Sequence, residues 1–544
     1  MSEPALSQEV SVSSIAGTRR LAIVAALLVC QALLVKFGLH PRTPEYDGRY
    51  RLLGEMLVPA TYFVLGFSLM LSTHFAAFFH GLLAHQQGHA SARYLVAQFA
   101  CYGCMIFAAG HLMPSELMTF TGGTRAQESL WIILLAVSVT GTVLFSLLVL
   151  APARYWRFFA RTEKTPLFLA LAFSVLAYAV GTLTQRSWNV LGSPTMHLSH
   201  WLLQWVFSDV EADFTLAQLG TSRFGVTVNY QCSGYEGIGM MLVFLTWYLY
   251  AFKAELRFPN ALLLVPAGML LIWLANGVRI AMLIAIGSLV SPEVAMQGFH
   301  SNAGWISFTV IALGFAHVAS NSSFFSSRST EGRRLTIDED TACVLPMLVL
   351  LATTLVSGAF SSDFPWLYPL RVLAAGASVL LLWRYFRFVD IRLRLFPIIA
   401  GGAVFLLWIF LIDADPRKSQ SFAASLFSVP AAVYVPWIAF RCIGAAVVVP
   451  IVEELAFRRY VFTLFGGAAG AESTARAIPW LPVLASSLMF GALHQAWFAG
   501  TIAGLAYYFV MRGSGKLWDA VLAHATTNSL ICVYVFASGN WSYW

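Results

Sequence analysis

Long apolar runs recur along the whole chain, and they constrain its folding more than any other feature. A window of about 18 to 22 apolar residues is the length that crosses a bilayer's hydrocarbon core as a helix. Such windows lie near 21–39, 55–73, 93–113, 130–151 and 166–184, then near 236–252, 259–276, 280–290 and 303–320. Further ones lie near 343–361, 367–383, 396–412, 432–450, 481–495, 498–511 and 517–536. In lipid each backbone polar group must find its partner within such a segment, which leaves helices as the form these runs take. The pattern predicts an all-α, polytopic transmembrane protein of about 13–16 transmembrane helices. Composition agrees: of 544 residues, 58% are hydrophobic and 11% charged, against roughly 25% charged in ordinary soluble domains.

A net charge of +7 would suit nucleic acid if it formed one patch. It does not, and no nucleic-acid partner is predicted. The basic residues cluster in short loops: Arg19/Arg20, Arg154/Arg157/Arg161/Lys164, Lys253/Arg257, Arg328/Arg333/Arg334 and Arg384/Arg387/Arg392/Arg394. Alternation with poorer loops predicts these in the cytoplasm, together with the N-terminus. Lys36, Arg42, Arg49 and Arg51 fall in a loop that this topology places outside, so the fit is imperfect. The first run follows Arg19 and Arg20 without an Ala-x-Ala site and reads as a retained anchor. Residues 321–342, NSSFFSSRSTEGRRLTIDEDTA, are the most polar internal stretch and have a linker's composition. Two helical-bundle modules are therefore predicted, 1–320 and 343–544, with 321–342 as a charged cytoplasmic linker. No convincing repeat relates them, which argues against an inverted-repeat transporter.

Three residues of the first module carry chemistry. Cys232 lies in NYQCSGYEGIG, Arg279 in LANGVRIAM and His300 in GFHSNAGW. Helical hairpins bring all three to one membrane face, with Arg279 at the far end of its span. A cation beside a thiol favours the thiolate, Arg279 also suits an oxyanion, and His300 suits proton transfer to a leaving amine. Each also has an ordinary explanation: a tolerated loop cysteine, a snorkelling arginine, an interfacial histidine. The blocks NYQCSGYEG, NGVRI and FHSNAGW, in this order, resemble the signature blocks of exosortases, bacterial membrane peptidases similar in role to sortases. The resemblance, closest to the E type, implies Cys232 as nucleophile with Arg279 and His300 as partners. It also implies a bacterial inner membrane, a site at its outer face and, as partners, exported proteins with a C-terminal sorting signal. That signal is a Pro-Glu motif, a transmembrane helix and a basic tail, and the acyl group passes to a surface acceptor.

In the second module Glu453 and Glu454 stand side by side in an apolar setting where carboxylates are costly unless they are partnered. Glu454 and Arg458 are spaced i,i+4 with the acid N-terminal, the better orientation for an ion pair, which leaves Glu453 as a general base. Phe490 with His494, and His524 with Asn528, repeat the i,i+4 spacing. His494 suits orientation of water, and His524 and Asn528 suit donation to an oxyanion. The ordered set is similar to that of the CAAX-processing and bacteriocin-processing (CPBP) intramembrane glutamate proteases, which implies the same roles and no obligatory metal. Two alternatives stand beside it: zinc held by Glu453, His494 and His524, although the H-E-x-x-H spacing is absent, and a polar network that only fixes helix packing. Counting spans puts Glu453 toward the cytoplasm and His494 near the other end of its segment. That conflict requires short, tilted or re-entrant segments.

Other features are weaker. Cys101 and Cys104 are spaced like a redox pair but lack a thioredoxin-like βαβ pattern. His74, His80, His85 and His89 crowd one loop without a carboxylate or Cys partner. The segment His197 to Val206, HLSHWLLQWV, suits the outer membrane interface, where it would guide a membrane-tethered substrate. The sequence thus predicts a bifunctional membrane protease, a Cys peptidase or transpeptidase fused to a glutamate endopeptidase, with no cofactor and with lipid as surroundings. Its rivals are an exosortase with a non-catalytic C-terminal scaffold, and a proton- or ion-coupled transporter.

Overall fold

The computed structural model describes residues 78, 81–82, 92–112, 125–186, 188–228, 235–327, 337–362, 364–386, 389–466 and 478–544. The runs near 21–39 and 55–73, the four-histidine loop at 74–89 and Cys232 lie outside the described residues. The protein is a multi-pass, almost wholly helical membrane protein. Among the described residues 7 helices are long and apolar enough to cross a bilayer, or up to 8 if a pair bent by 110° is one span. Shorter apolar helices account for several of the other predicted runs. The chain divides into two compact units, 1–180 and 181–544.

In the first unit α1 (Ala92–Leu112) packs along α2 (Arg125–Leu150). Cys101 and Cys104 both lie on α1 as free thiols. The basic loop expected at 154–164 is instead mostly a short helix, α3 (Ala153–Thr162). Helical spacing separates its residues by character, burying Tyr155 and Phe159 and exposing Arg154, Arg157 and Arg161. The Tyr155 hydroxyl donates to Phe78 O at 2.8 Å. α4 (Lys164–Arg186) fills the next predicted span.

The second unit opens with α5 (Trp188–Leu203), on which Trp201 is exposed. A small antiparallel sheet follows in the order β1 (Val210–Asp213), β2 (Gln218–Thr221), β3 (Gly225–Thr227). Val210 pairs with Thr221, and Gln218 with both Asp213 and Thr227. Next come α6 (Tyr235–Ala251) and α7 (Leu264–Leu289). Leu219 and Val228 pack with Met196 and Leu203 of α5 and with Ile280 and Ile284 of α7. Thr221 Oγ1 meets Ser288 Oγ at 2.8 Å in a buried contact that ties the sheet to the end of α7. The same Thr221 oxygen also accepts from Arg223 N and Phe224 N, so Ser288→Ala is expected to cost only about 0.5–1.5 kcal/mol in thermal unfolding in detergent.

The runs expected at 259–276 and 280–290 are one helix. Asn276-Gly277-Val278-Arg279 contains no proline, nothing interrupts the i→i−4 bonding, and α7 continues through it. Arg279, expected at a span's end, therefore lies inside α7. A π-helical turn, Val294–Phe299, precedes α8 (His300–Asn321). Beyond α8, part of the expected linker folds back onto the α6–α7 connection. Arg257 N donates to Phe325 O at 2.7 Å and Ser327 N to Glu255 O at 2.8 Å.

α9 (Glu339–Ala359) starts at an Asp338 cap that accepts from Thr341 N at 2.8 Å. α10 (Tyr368–Leu381), α11 (Leu395–Leu411) and α12 (Pro416–Phe427) follow, with the bend between the last two at the Asp415 cap. α13 spans Ala431–Leu464, and its 34 residues are interrupted by π-helical stretches at Gly444–Val448 and Leu455–Val461. α14 (Trp480–Ala492), α15 (Trp497–Ser514) and α16 (Leu517–Ser538) complete the bundle. Its core joins Cys343 and Met347 of α9, Val452, Leu455 and Phe457 of α13, Phe490, Tyr507 and Ala523.

The two ends of this bundle differ in chemistry. At one, Arg394 pairs with Asp519 at 2.6 Å and with Asp390 at 3.0 Å, Lys516 approaches Asp390 at 3.6 Å, and Arg459 pairs with Glu339. At the other, Trp437, Trp541, Trp544, Phe422 and Phe427 form an aromatic cluster, as interfacial belts do. α14 has 13 residues and reaches about 20 Å, short of the ~30 Å apolar core. The end of α13, the start of α14 and the end of α15 pack together through Phe462, Val483 and Tyr508. α14 and α15 thus form an antiparallel helical hairpin. Its two helices touch where a Cβ on Gly500 would lie 3.0 Å from Gly491 Cα. His494 lies at the turn of this hairpin, where its ring meets Trp408 at 5.9 Å.

Candidate active sites

Around Arg279 the structure assembles part of the first predicted site. Arg279 Nη2 donates to His300 O at 2.9 Å and approaches His300 Nδ1 at 3.5 Å. Arg279 Nη1 reaches Asn276 Oδ1 at 3.5 Å, one helical turn earlier and itself buried. A guanidinium inside an apolar helix needs such partners. Cys232 lies outside the described residues, but the chain on either side of it is held on α7. Val228 packs in the cluster with Ile280 and Ile284, and Ile238 in one with Ile272. The Trp-bearing segment at 197–206 is mostly helix α5, whose His197 ring stacks on Phe214 at 4.3 Å. Next to it Ser222 donates to Asp209 through hydroxyl and amide, and these bonds hold the Asp209 carboxyl below its ordinary range.

The second set is buried in the middle of the bundle. Glu454 and Arg458 are both fully buried and pair at 3.2 Å through Oε2 and Nε. Glu454 Oε1 meets His524 Nδ1 at 3.0 Å, and His524 Nε2 lies 3.9 Å from Glu453 Oε2. α13 supplies the acids and the arginine, and α16 the imidazole. Tyr507 of α15 stacks on His524 at 4.7 Å and 15°, and the Arg458 guanidinium lies 4.8 Å over Phe490. Glu454 is thus held from both sides, as its spacing to Arg458 predicts. Glu453 Oε2 has no hydrogen-bond partner among the described residues. π-helical stretches flank the acids on both sides, and such irregularities commonly mark functional positions.

α14 ends at Ala492, yet the i,i+4 spacing still brings Phe490 and His494 together. His494 therefore lies in the hairpin turn, where its Nδ1 meets Phe490 O at 2.8 Å and its ring packs on Phe490 at 4.7 Å. Asn528, expected to face an oxyanion, donates from Nδ2 to Ala445 O at 2.8 Å, within the first π-helical stretch. A π stretch displaces carbonyls from the regular ladder, and this amide satisfies one. Among the described residues no three His, Cys, Asp or Glu side chains group as metal ligands. The sequence pattern left two contributors unseen. Asn276 stands three residues before Arg279 and was legible by spacing, whereas Tyr507, in a run of aromatics, carries no distinguishing signal.

Comparison with known families agrees with this division. The type II CAAX prenyl endopeptidase Rce1-like family model matches residues 435–530, the stretch that carries the Glu453–His524 cluster. The transmembrane exosortase (EpsH) family model matches residues 21–316, which include Arg279 and His300. No curated protein and no solved structure matches the chain. The chain is therefore a membrane protease that belongs to the transmembrane exosortase family and carries a segment similar to the Rce1-like CAAX prenyl endopeptidases.

Proposed function

We propose that residues 1–320 form a cysteine peptidase or transpeptidase and residues 343–544 a glutamate endopeptidase, joined by 321–342, in a bacterial inner membrane. The Cys232 thiolate attacks the scissile carbonyl, Arg279 steadies the oxyanion, and His300 gives a proton to the leaving amine. An acceptor nucleophile or water then releases the thioester. The substrates are exported proteins with a Pro-Glu motif, a transmembrane helix and a basic tail, and the acceptor is a surface molecule. The observation that carries this reading is the Arg279–His300 pairing beside a chain held on α7 at both flanks of Cys232.

An outer location for this site is supported by the helix ends. His300 begins α8, whereas the residues after Asn321 pair with the connection that carries Lys253 and Arg257. Basic loops favour the cytoplasm, which supports an outer position for His300. At the second site Glu453, whose Oε2 lacks a hydrogen-bond partner, activates water while Arg458 and His524 hold Glu454. Its substrate is the membrane tail released by the first cut.

The test follows a tagged protein ending in Pro-Glu, a helix and a basic tail in cells with the wild type, Cys232→Ala or Glu453→Gln. Precursor is expected to accumulate in the first variant and a tail fragment in the second. Unchanged products in Glu453→Gln would make the second half a scaffold. Normal cleavage in Cys232→Ala, with ion flux lost in Glu453→Gln, would point to transport.

A further inference from the structure

The backbone beside His300 rests on a helix that the exosortase match does not include. A Cβ placed on Gly298 would lie 2.2 Å from Ser361 O, 2.8 Å from Gly358 O and 2.9 Å from Ala359 O. Only a residue without a side chain fits so near three carbonyl oxygens, and backbone cannot retreat as a flexible side chain can. The carbonyls belong to the carboxyl end of α9 and the residues just after it, while the match ends at residue 316.

Independent contacts meet at the same place. Ala359 is wholly buried in one apolar cluster with Phe299 and Ala303, which bracket His300, and with Leu283 of α7. Phe299 and Phe360 rings pack at 6.4 Å. Asn302 donates to Gly298 O at 2.8 Å and faces Gly358, where an added Cβ would lie 3.4 Å from its Nδ2. The π-helical turn that ends at Phe299 hands its orientation directly to His300, and Arg279 is bonded to the His300 carbonyl. Whatever fixes Gly298 therefore fixes both side chains.

We infer that the carboxyl end of α9 is a positioning element of the Arg279–His300 site: the exosortase-type site is composite, and the fused half supplies the seat on which its histidine-bearing turn is set. The inference rests on the reading of Cys232, Arg279 and His300 as a peptidase site. α9 touches no reacting atom in this scheme, and its role is geometric. A misplacement near 1 Å costs roughly 100-fold in rate.

The experiment uses purified full-length protein in vesicles of phosphatidylethanolamine and phosphatidylglycerol, with the tagged Pro-Glu, helix and basic-tail protein as probe. Gly298→Ala is expected to lower the Cys232-dependent cut roughly 10- to 100-fold and to move its pH–rate profile, because the surroundings of His300 shift. Gly358→Val changes the α9 side of the contact alone and guards against a variant that simply fails to fold. It is expected to move the profile in the same way with a smaller loss of rate. A fall in rate with an unmoved profile in both variants would mean only less folded protein and would overturn the inference. So would wild-type rate and profile in both, while Cys232→Ala is inactive. Normal cleavage by Cys232→Ala would instead remove the peptidase reading, and the inference with it.

Discussion

Arg458→Met is expected to destabilise the protein by about 3–5 kcal/mol, the usual cost of leaving a buried charge without its partner. Glu454 is fully buried and ion-paired with Arg458 at 3.2 Å, and the guanidinium also covers the Phe490 ring. Removal of the arginine leaves His524 as the partner of Glu454, and that imidazole is then drawn from Glu453. Denaturation of detergent-solubilised protein reads the loss. The double variant Glu454→Leu with Arg458→Met removes both charges and should recover much of the stability, because apolar replacement of a buried pair is often close to neutral. It should not recover the tail-fragment cut. A single variant as stable as wild type would show that the pair does not hold the bundle.

His300→Ala is expected to slow the Cys232-dependent cut about 10²- to 10⁴-fold, the range for loss of a general acid or base. Stability should change little, since the imidazole contact to Arg279 is long at 3.5 Å. Arg279→Ala should lower both rate and stability, because Nη2 also holds the His300 carbonyl at 2.9 Å. Single-turnover cleavage beside thermal scans separates the two. Wild-type cleavage by His300→Ala would remove the histidine from the chemistry.

Much of this architecture was legible because apolar length is a strong signal: the runs at 93–113, 130–151, 303–320, 343–361 and 517–536 each became one helix. Length fails at subtler points. α7 was divided in two because Asn276, Gly277 and Arg279 lower local hydropathy without breaking a helix. The sheet at 210–227 has strands of 3 and 4 residues, too short for alternation to stand out. In the second site the Glu454–Arg458 pair and the shared face of His524 and Asn528 followed from spacing. The destination of Asn528 did not, since the carbonyl it satisfies exists only because α13 turns π-helical there. The contact of His494 with Phe490 followed from spacing too, although local spacing cannot tell a helix from the turn that ends it.

The charged end of the second bundle gives the second site a direction. Arg394, Lys516 and Asp519 cluster there, and Asp519 precedes His524 on the same helix, so protons exchanged with Glu453 or His524 are expected to come from that compartment. In sealed proteoliposomes, acidifying the compartment at that end should alter tail cleavage within the time the medium changes. Acidifying the opposite one should leave it untouched while altering the cut at Cys232. A single polypeptide would then take its protons from both sides of the membrane it crosses.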